Sequence, residues 1–198
     1  MMASDIDQVT GDLWIFAYGS LMWRPGFDHV ERAAARLIGL HRALCVYSFV
    51  HRGTPEKPGL VLGLDQGGAC RGIAYRVSAR QRAQTVRYLR EREQITMVYR
   101  ELVRPVILSG TPERRVRALL YAVDRGHPQY TGRLTIDQQL HYVRQGHGHS
   151  GANRDYVVAT VKELEAQGCH DAALHLLAER LKGVHEPHVT AHAIRAPD

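Results

Sequence analysis

Glu93 stands where an apolar side chain would be expected. The segment SARQRAQTVRYLREREQ, Ser78 to Gln94, predicts one amphipathic helix, opened by the S-x-x-Q spacing of Ser78 and Gln81. At about 100° per residue, Ala79, Ala83, Val86 and Leu89 gather on one stripe. Glu93, four residues after Leu89, falls inside that stripe, whereas Arg80, Arg82, Arg87, Glu91 and Arg92 lie outside it or at its border. Glu93 also falls near the helix's C-terminal end, where the macrodipole disfavours an anion. Desolvation and the dipole both push a carboxylate pKa upward. Such a group can take up and hand on protons near neutrality. A helix that frayed early would leave Glu93 in water, and this segment by itself leaves both readings open.

Three further sets of residues could carry chemistry. The first is Tyr18-Gly19-Ser20-Leu21, directly after an apolar run. A glycine there lets the chain turn sharply and brings peptide N–H groups close to a ligand, and successive N–H groups can form an anion-binding concavity. This is neither G-x-S-x-G nor a Walker loop. The second is the set of twelve histidines, of which His147 and His149 near His141, and His175 near Cys169 and His170, come closest to a metal site. Neither group has the ordered spacing of a zinc site, so surface histidines and no bound metal are expected. The third is a nucleophile: Ser20, Ser48, Ser150, Cys45, Cys70 or Cys169. Spacing assigns a base to none of them.

The elements that would position these residues run strands first, helices last. Leu13 to Tyr18 reads as a buried strand. Arg36 to Phe49 holds one bent strand or two short ones. After the Pro/Gly loop His51–Gly59, Leu60–Leu64 and Cys70–Val77 read as a hairpin turning at Asp65-Gln66-Gly67-Gly68. The Glu93 helix follows, then strands Tyr99–Leu108 and Val116–Val123 around Ser109-Gly110-Thr111-Pro112. Thr135 and Gln138 open a short helix with capping-box spacing. Asn153 is placed to cap a helix ending at Gly168, and Asp171–Lys182 is a last helix ended by Gly183. Strands clustered before helices indicate an α+β fold with an antiparallel-rich sheet or barrel. The expected division is a flexible segment 1–12, one domain over 13–183 and a mobile His-rich tail 184–198.

Composition narrows the function. The chain has 198 residues, 44% of them hydrophobic, enough for one core. No apolar run approaches the roughly 18 residues of a membrane span, and the start MMASDIDQVTGD lacks a signal-peptide pattern. The three widely spaced cysteines argue against a disulfide framework. A cytoplasmic protein with reduced thiols is expected. The net charge of +6 is scattered and no nucleic-acid signature appears, so nucleic acid and membrane are not expected partners. Oligomeric state cannot be read from these features.

The segment W14-I-F-A-Y-G-S-L-M-W-R-P-G-F27 resembles the opening of the ChaC-like γ-glutamylcyclotransferases. The resemblance continues through His51-Arg52-Gly53, Lys57-Pro58-Gly59, Cys70 to Tyr75, Tyr88 to Glu93 and Ser150 to Asn153 with Tyr156, in family order. It implies a small mixed-strand barrel with flanking helices. It also implies cleavage of glutathione into 5-oxoproline and cysteinylglycine, without cofactor or metal. In that reaction the substrate's own α-amine attacks the γ-carbonyl and closes a five-membered ring, so no serine or cysteine nucleophile is needed. The resemblance assigns the proton-transferring carboxylate to Glu93. It places the substrate on Ile15, Phe16, Ala17, Tyr18, Gly19, Ser20 and Leu21, with Arg52 and Tyr99 as further contacts. Arg52 could equally be structural support, and Tyr99 core or surface. Turnover of other γ-glutamyl amino acids or amines is the neighbouring reading. A non-catalytic γ-glutamyl sensor is the reading from another class, and the intact carboxylate argues against it.

Overall fold

The computed structural model describes Ile6 and residues 10–183. Most of segment 1–12 and the whole of 184–198 therefore lie outside the described residues.

The first strand, β1 (Leu13–Ala17), is buried at every position. A run of five apolar residues cannot put one face in water, so it needs cover on both sides. It gets that cover inside a closed barrel of order β1-β3-β2-β4-β5, where β2 is Glu31–Ser48, β3 Gly59–Val77, β4 Tyr99–Leu108 and β5 Arg114–Val123. All neighbours are antiparallel except the closing pair β1–β5, in which Trp14 and Ile15 lie beside Ala118 and Leu119. The expected α+β barrel with flanking helices is what forms, with parallel and antiparallel pairs mixed.

The expected hairpin at Asp65–Gly68 is not there. β3 runs straight through it, paired with β2 from Arg76 opposite Glu31 to Gly59 opposite Ser48. The glycines do a different job. Ile38 pairs with Ala69 and Leu40 with Gln66, so Gly39 on one strand faces Gly67 and Gly68 on the other. All three have positive φ (89°, 96° and 65°). They absorb a register shift, which bends the ribbon, and the reversal falls instead at His51–Pro58. Sequence signals cannot separate these outcomes, because both need glycine at left-handed φ.

Helix α1 (Arg82–Glu93) bridges β3 and β4. It starts four residues later than Ser78, and Gln81 caps it without a side-chain bond. The capping box does not form: the Gln81 N–H donates to the Ser78 carbonyl at 3.0 Å rather than to Ser78 Oγ, and Ser78 Oγ instead donates to Gln81 Oε1 at 3.4 Å. Ala79 and Ala83 are exposed; the buried stripe is Thr85, Val86 and Leu89, and it leads to Glu93. Helix α2 (Ile136–Gln145) does carry its reciprocal capping box between Thr135 and Gln138. Helices α3 (Asn153–Ala166) and α4 (Ala172–Lys182) pack with α2 as a layer beside the barrel, and α2 also touches β3. Asp171 caps α4 by accepting from Leu174 N–H.

Asn153 is not a cap. Ala152 holds that position, and Asn153 is fully buried. Its side chain accepts from Leu60 N–H at 2.7 Å and donates to Leu60 C=O at 2.8 Å, pinning the start of α3 to β3. No helix among the described residues is long and apolar enough to cross a membrane.

Candidate active site

A cavity of about 810 Å³ opens at one end of the barrel. The end of β1 and the turn after it, the end of α1, the loop after β2 and one face of α3 meet there over side chains of β3, β4 and β5.

Past Ala17 the chain leaves the sheet and closes a single 3-10 turn, Ser20–Met22, with Met22 N–H bonded to Gly19 C=O at 2.8 Å. The first amides of such a turn have no carbonyl ahead of them to bond, and Gly19, Ser20 and Leu21 border the cavity. Phe16 and Tyr18 line it as well. Ile15 and Ala17, placed at the site by sequence, are packed in the core instead and do not border the cavity. The two-residue period of a strand turns them to the opposite face from Phe16 and Tyr18.

Glu93 is the last residue of α1, one turn beyond the fully buried Leu89. Its side chain keeps 18% of its exposure and borders the cavity. Burial pushes its carboxyl above the usual carboxylate range, and the charge and hydrogen bond of Arg92 oppose that shift only in part. Arg92 Nε sits 3.2 Å from Glu93 Oε1, while its Nη2 donates to Ser20 Oγ at 2.7 Å. Nη1 donates to Tyr88 Oη at 3.0 Å and to the Arg24 carbonyl at 3.2 Å. One guanidinium therefore joins the carboxylate to the turn after β1. Helical spacing put Arg92 on the border of the stripe; no signal in the sequence shows a bond to Ser20.

The floor is phenolic. Tyr99 Oη donates to Leu62 C=O at 2.6 Å, and Leu62 N–H donates to Tyr156 Oη at 3.3 Å. Burial holds the pKa of Tyr18, Tyr99 and Tyr156 above the ordinary phenol value, with nearby Glu93 adding to the shift, so all three stay neutral donors at physiological pH. Tyr121 completes this side; its hydroxyl donates to Glu101 at 3.1 Å, and Glu101 is gripped by both arms of Arg90 at 2.7 and 2.9 Å.

The loop after β2 brings His51 and Arg52. Arg52 Nη1 donates to the carbonyls of Ser150 and Ala152, and its guanidinium lies 5.2 Å from the centre of the Tyr156 ring. A Cβ on Gly59 or Gly146 would clash with the Arg52 carbonyl, so both glycines are needed for this loop to settle so deep. Arg52 thus makes the supporting bonds and also faces the cavity. Helix α3 adds Asp155, Tyr156, Ala159, Thr160 and Glu163, at the i, i+4, i+8 spacing of one helix face.

Other chemistries fit poorly. Ser20 Oγ accepts a hydrogen bond from the Arg92 guanidinium, which is a donor and cannot take the proton that an attacking serine must lose. None of Cys45, Cys70 and Cys169 borders the cavity, and burial pushes the thiols of Cys45 to about 12 and Cys70 to about 11. Among the described residues, no three His, Cys, Asp or Glu side chains are grouped so as to hold a metal ion. His170 and His175 lie with ring centres 4.0 Å apart and planes tilted by 47°, and His175 Nδ1 is 2.7 Å from the Asp171 carbonyl.

Fold and cavity together define a small mixed barrel of the γ-glutamylcyclotransferase type. In overall shape it is similar to the crystal structure of the γ-glutamylcyclotransferase specific to glutathione from yeast, with a TM-score of 0.78 over 87% of this chain and 96% of that one, at 21% identity. Residues 13–184 match the family described as ChaC-like protein, and the chain belongs to that family. It is 34% identical over 172 residues to the glutathione-specific γ-glutamylcyclotransferase of Escherichia coli K12, covering 87% of this chain and 74% of that protein. It is 29% identical over 168 residues to the human glutathione-specific γ-glutamylcyclotransferase 1, covering 84% and 76%.

Proposed function

We propose that this chain is a γ-glutamylcyclotransferase that splits glutathione into 5-oxoproline and cysteinylglycine, with Glu93 as the group that moves the proton. Residues 13–183 act as its single domain. The observation that carries this reading is Glu93 itself: a carboxylate withdrawn from water at the wall of the cavity and joined through Arg92 to the turn at Ser20.

The chemistry follows from the substrate. The α-amine and the γ-carbonyl belong to one molecule, so the main requirement is to hold it folded, where effective molarity supplies much of the rate. Glu93, as the anion, takes a proton from the α-ammonium. The freed amine forms a bond to the γ-carbon, and charge gathers on the γ-oxygen, where the amides of the turn at Gly19–Leu21 stabilise it. The C–N bond to cysteinylglycine then breaks as Glu93 returns its proton to the departing nitrogen, and the ring nitrogen gives up its second proton, so that the lactam is neutral and the product amine leaves as its ammonium. A carboxylate with an elevated pKa suits both transfers. The neutral phenols of Tyr18, Tyr99 and Tyr156 orient the glutamyl part by hydrogen bonding without adding charge. Arg52 and Arg24 in the cavity wall offer cationic partners for the substrate's carboxylates. We place the protein in the cytoplasm, on the strength of its three unpaired buried thiols.

The deciding experiment incubates the purified chain with glutathione, γ-glutamylcysteine, γ-glutamylalanine and a γ-glutamyl amine, and scores 5-oxoproline by mass spectrometry. Release from glutathione at the highest kcat/KM is expected. Preference for another γ-glutamyl compound would reassign the leaving group, and binding without release from any of them would make the protein a sensor.

A further inference from the structure

Arg42 is an arginine with almost no access to water: its side chain is 3% exposed. It lies on β2, outside the cavity lining, yet it touches the site from behind. Nε donates to the Tyr18 carbonyl at 2.5 Å, and Nη2 donates to the Arg71 carbonyl at 2.7 Å and lies 3.7 Å from Met22 Sδ. Nη1 pairs with Asp171 Oδ2 at 3.2 Å, and Asp171 in turn caps α4. Burying a charge in this way is costly, and an apolar residue of similar volume often serves stability as well or better. What an apolar residue cannot do is hold several acceptors in a fixed fork.

One of those acceptors matters for the turn. The Tyr18–Gly19 peptide bond is trans. In a trans peptide the C=O and the following N–H point in opposite directions. With the Tyr18 oxygen held on the core side by Arg42, the Gly19 N–H is turned to the other side, toward the cavity that Tyr18, Gly19 and Ser20 border. A cation on the carbonyl also polarises the peptide, which makes its N–H a stronger donor. We propose that Arg42, neutralised by Asp171, is a positioning residue that locks and polarises the Tyr18–Gly19 peptide so that Gly19 N–H serves the charge developing on the substrate's γ-oxygen. This rests on the cyclotransferase reading for its substrate, but the geometry of the peptide does not depend on it.

The test uses the full chain, Arg42→Lys and Arg42→Met. Lysine keeps the charge but cannot reach all four partners at once. Steady-state release of 5-oxoproline is normalised to the folded fraction measured by circular dichroism. The Gly19 amide is followed by NMR in glycine-labelled protein, assigned by its loss in Gly19→Ala. Loss of one oxyanion donor costs about 10²–10³ in kcat, so a misaimed donor should lower kcat by about 10- to 100-fold in Arg42→Met, with KM within about threefold. Arg42→Lys should fall between, and in both variants the Gly19 signal of the substrate-free protein should move further than those of Gly132 and Gly168. Should Arg42→Met fail to fold, Arg42→Lys decides. The idea is overturned by a folded Arg42→Lys whose normalised kcat and Gly19 signal match the wild type. It is equally overturned if the rate falls only in step with the folded fraction. Absence of turnover in the wild type would instead sink the functional reading, and the Gly19 signal would still judge Arg42.

Discussion

Glu93 combines two demands that pull against each other. Burial disfavours its charge, while Arg92 beside it favours charge, and burial is the larger influence. Replacing Glu93 with Gln keeps the shape and removes the proton carrier, so 5-oxoproline release should fall by about 10²–10⁴-fold while circular dichroism stays unchanged. Stability should respond in a particular direction. Because the folded state raises this pKa, the contribution of Glu93 to stability is fully present below the ordinary carboxylate value and is lost as pH rises through the folded value. Glu93→Gln should therefore melt higher than wild type at pH 7.5, with the gap closing toward pH 4. Arg92→Gln should move Glu93 the other way from Arg92's present influence, to a still higher pKa. The acid limb of kcat/KM would then shift to higher pH, and a pH–rate profile that stays in place would show that Arg92 does not tune the carboxylate. At this scale the carboxylate was legible, because a helix repeats every 3.6 residues and Glu93 breaks its apolar stripe. Arg92 was not, because its partner Ser20 lies 72 residues away along the chain.

Among the elements, the joint between α3 and β3 is the one with most to lose. Asn153 satisfies both backbone groups of Leu60 in a place closed to water. Asn153→Ala would strand a buried donor and a buried acceptor, each worth about 1–3 kcal/mol, so urea unfolding should report a loss of about 2–6 kcal/mol. Asn153→Asp should fare no better, since a carboxylate oxygen would then face the Leu60 carbonyl. A loss below about 1 kcal/mol in either variant would mean that this joint bears little of the load. Thr135→Ala, which removes an ordinary exposed cap, should cost only about 1 kcal/mol. The contrast shows what local spacing can and cannot say. The Thr135–Gln138 pattern forms as read because both partners are neighbours in the chain and nothing competes. Ser78–Gln81 does not form its box because the Gln81 N–H goes to the Ser78 carbonyl, while Asp12 and Asp28, from distant segments, hold the neighbouring Ala79 N–H and Gln81 Nε2. Asn153 has the side chain of a cap, but its oxygen is claimed by β3.

For the molecule as a whole, the barrel and the helices share one large core cluster, with members from Ile6 to Leu181, and Cys45, Val46, Val98 and Val123 form a second, small one. Unfolding in urea should accordingly show one transition, coincident by circular dichroism and tyrosine fluorescence. Cys45, Cys70 and Cys169 are all buried, so a thiol reagent should label less than one thiol per native chain and all three only across that same transition. Separate transitions, or a thiol that reacts before unfolding, would divide the core. Read alone, the amino-acid order determined the strand-then-helix succession and the buried first strand, and it put Glu93 on the apolar stripe of its helix without deciding whether that turn would fray. These are properties of near neighbours, expressed through periods of two and of 3.6 residues. Tertiary structure alone decided that β2 and β3 form one bent ribbon, that Ile15 and Ala17 face the core, and that Arg42 bonds the Tyr18 carbonyl while Arg92 bonds the Ser20 hydroxyl. Each of those outcomes depends on which distant group satisfies a given donor or acceptor, and that competition is settled only when the barrel closes.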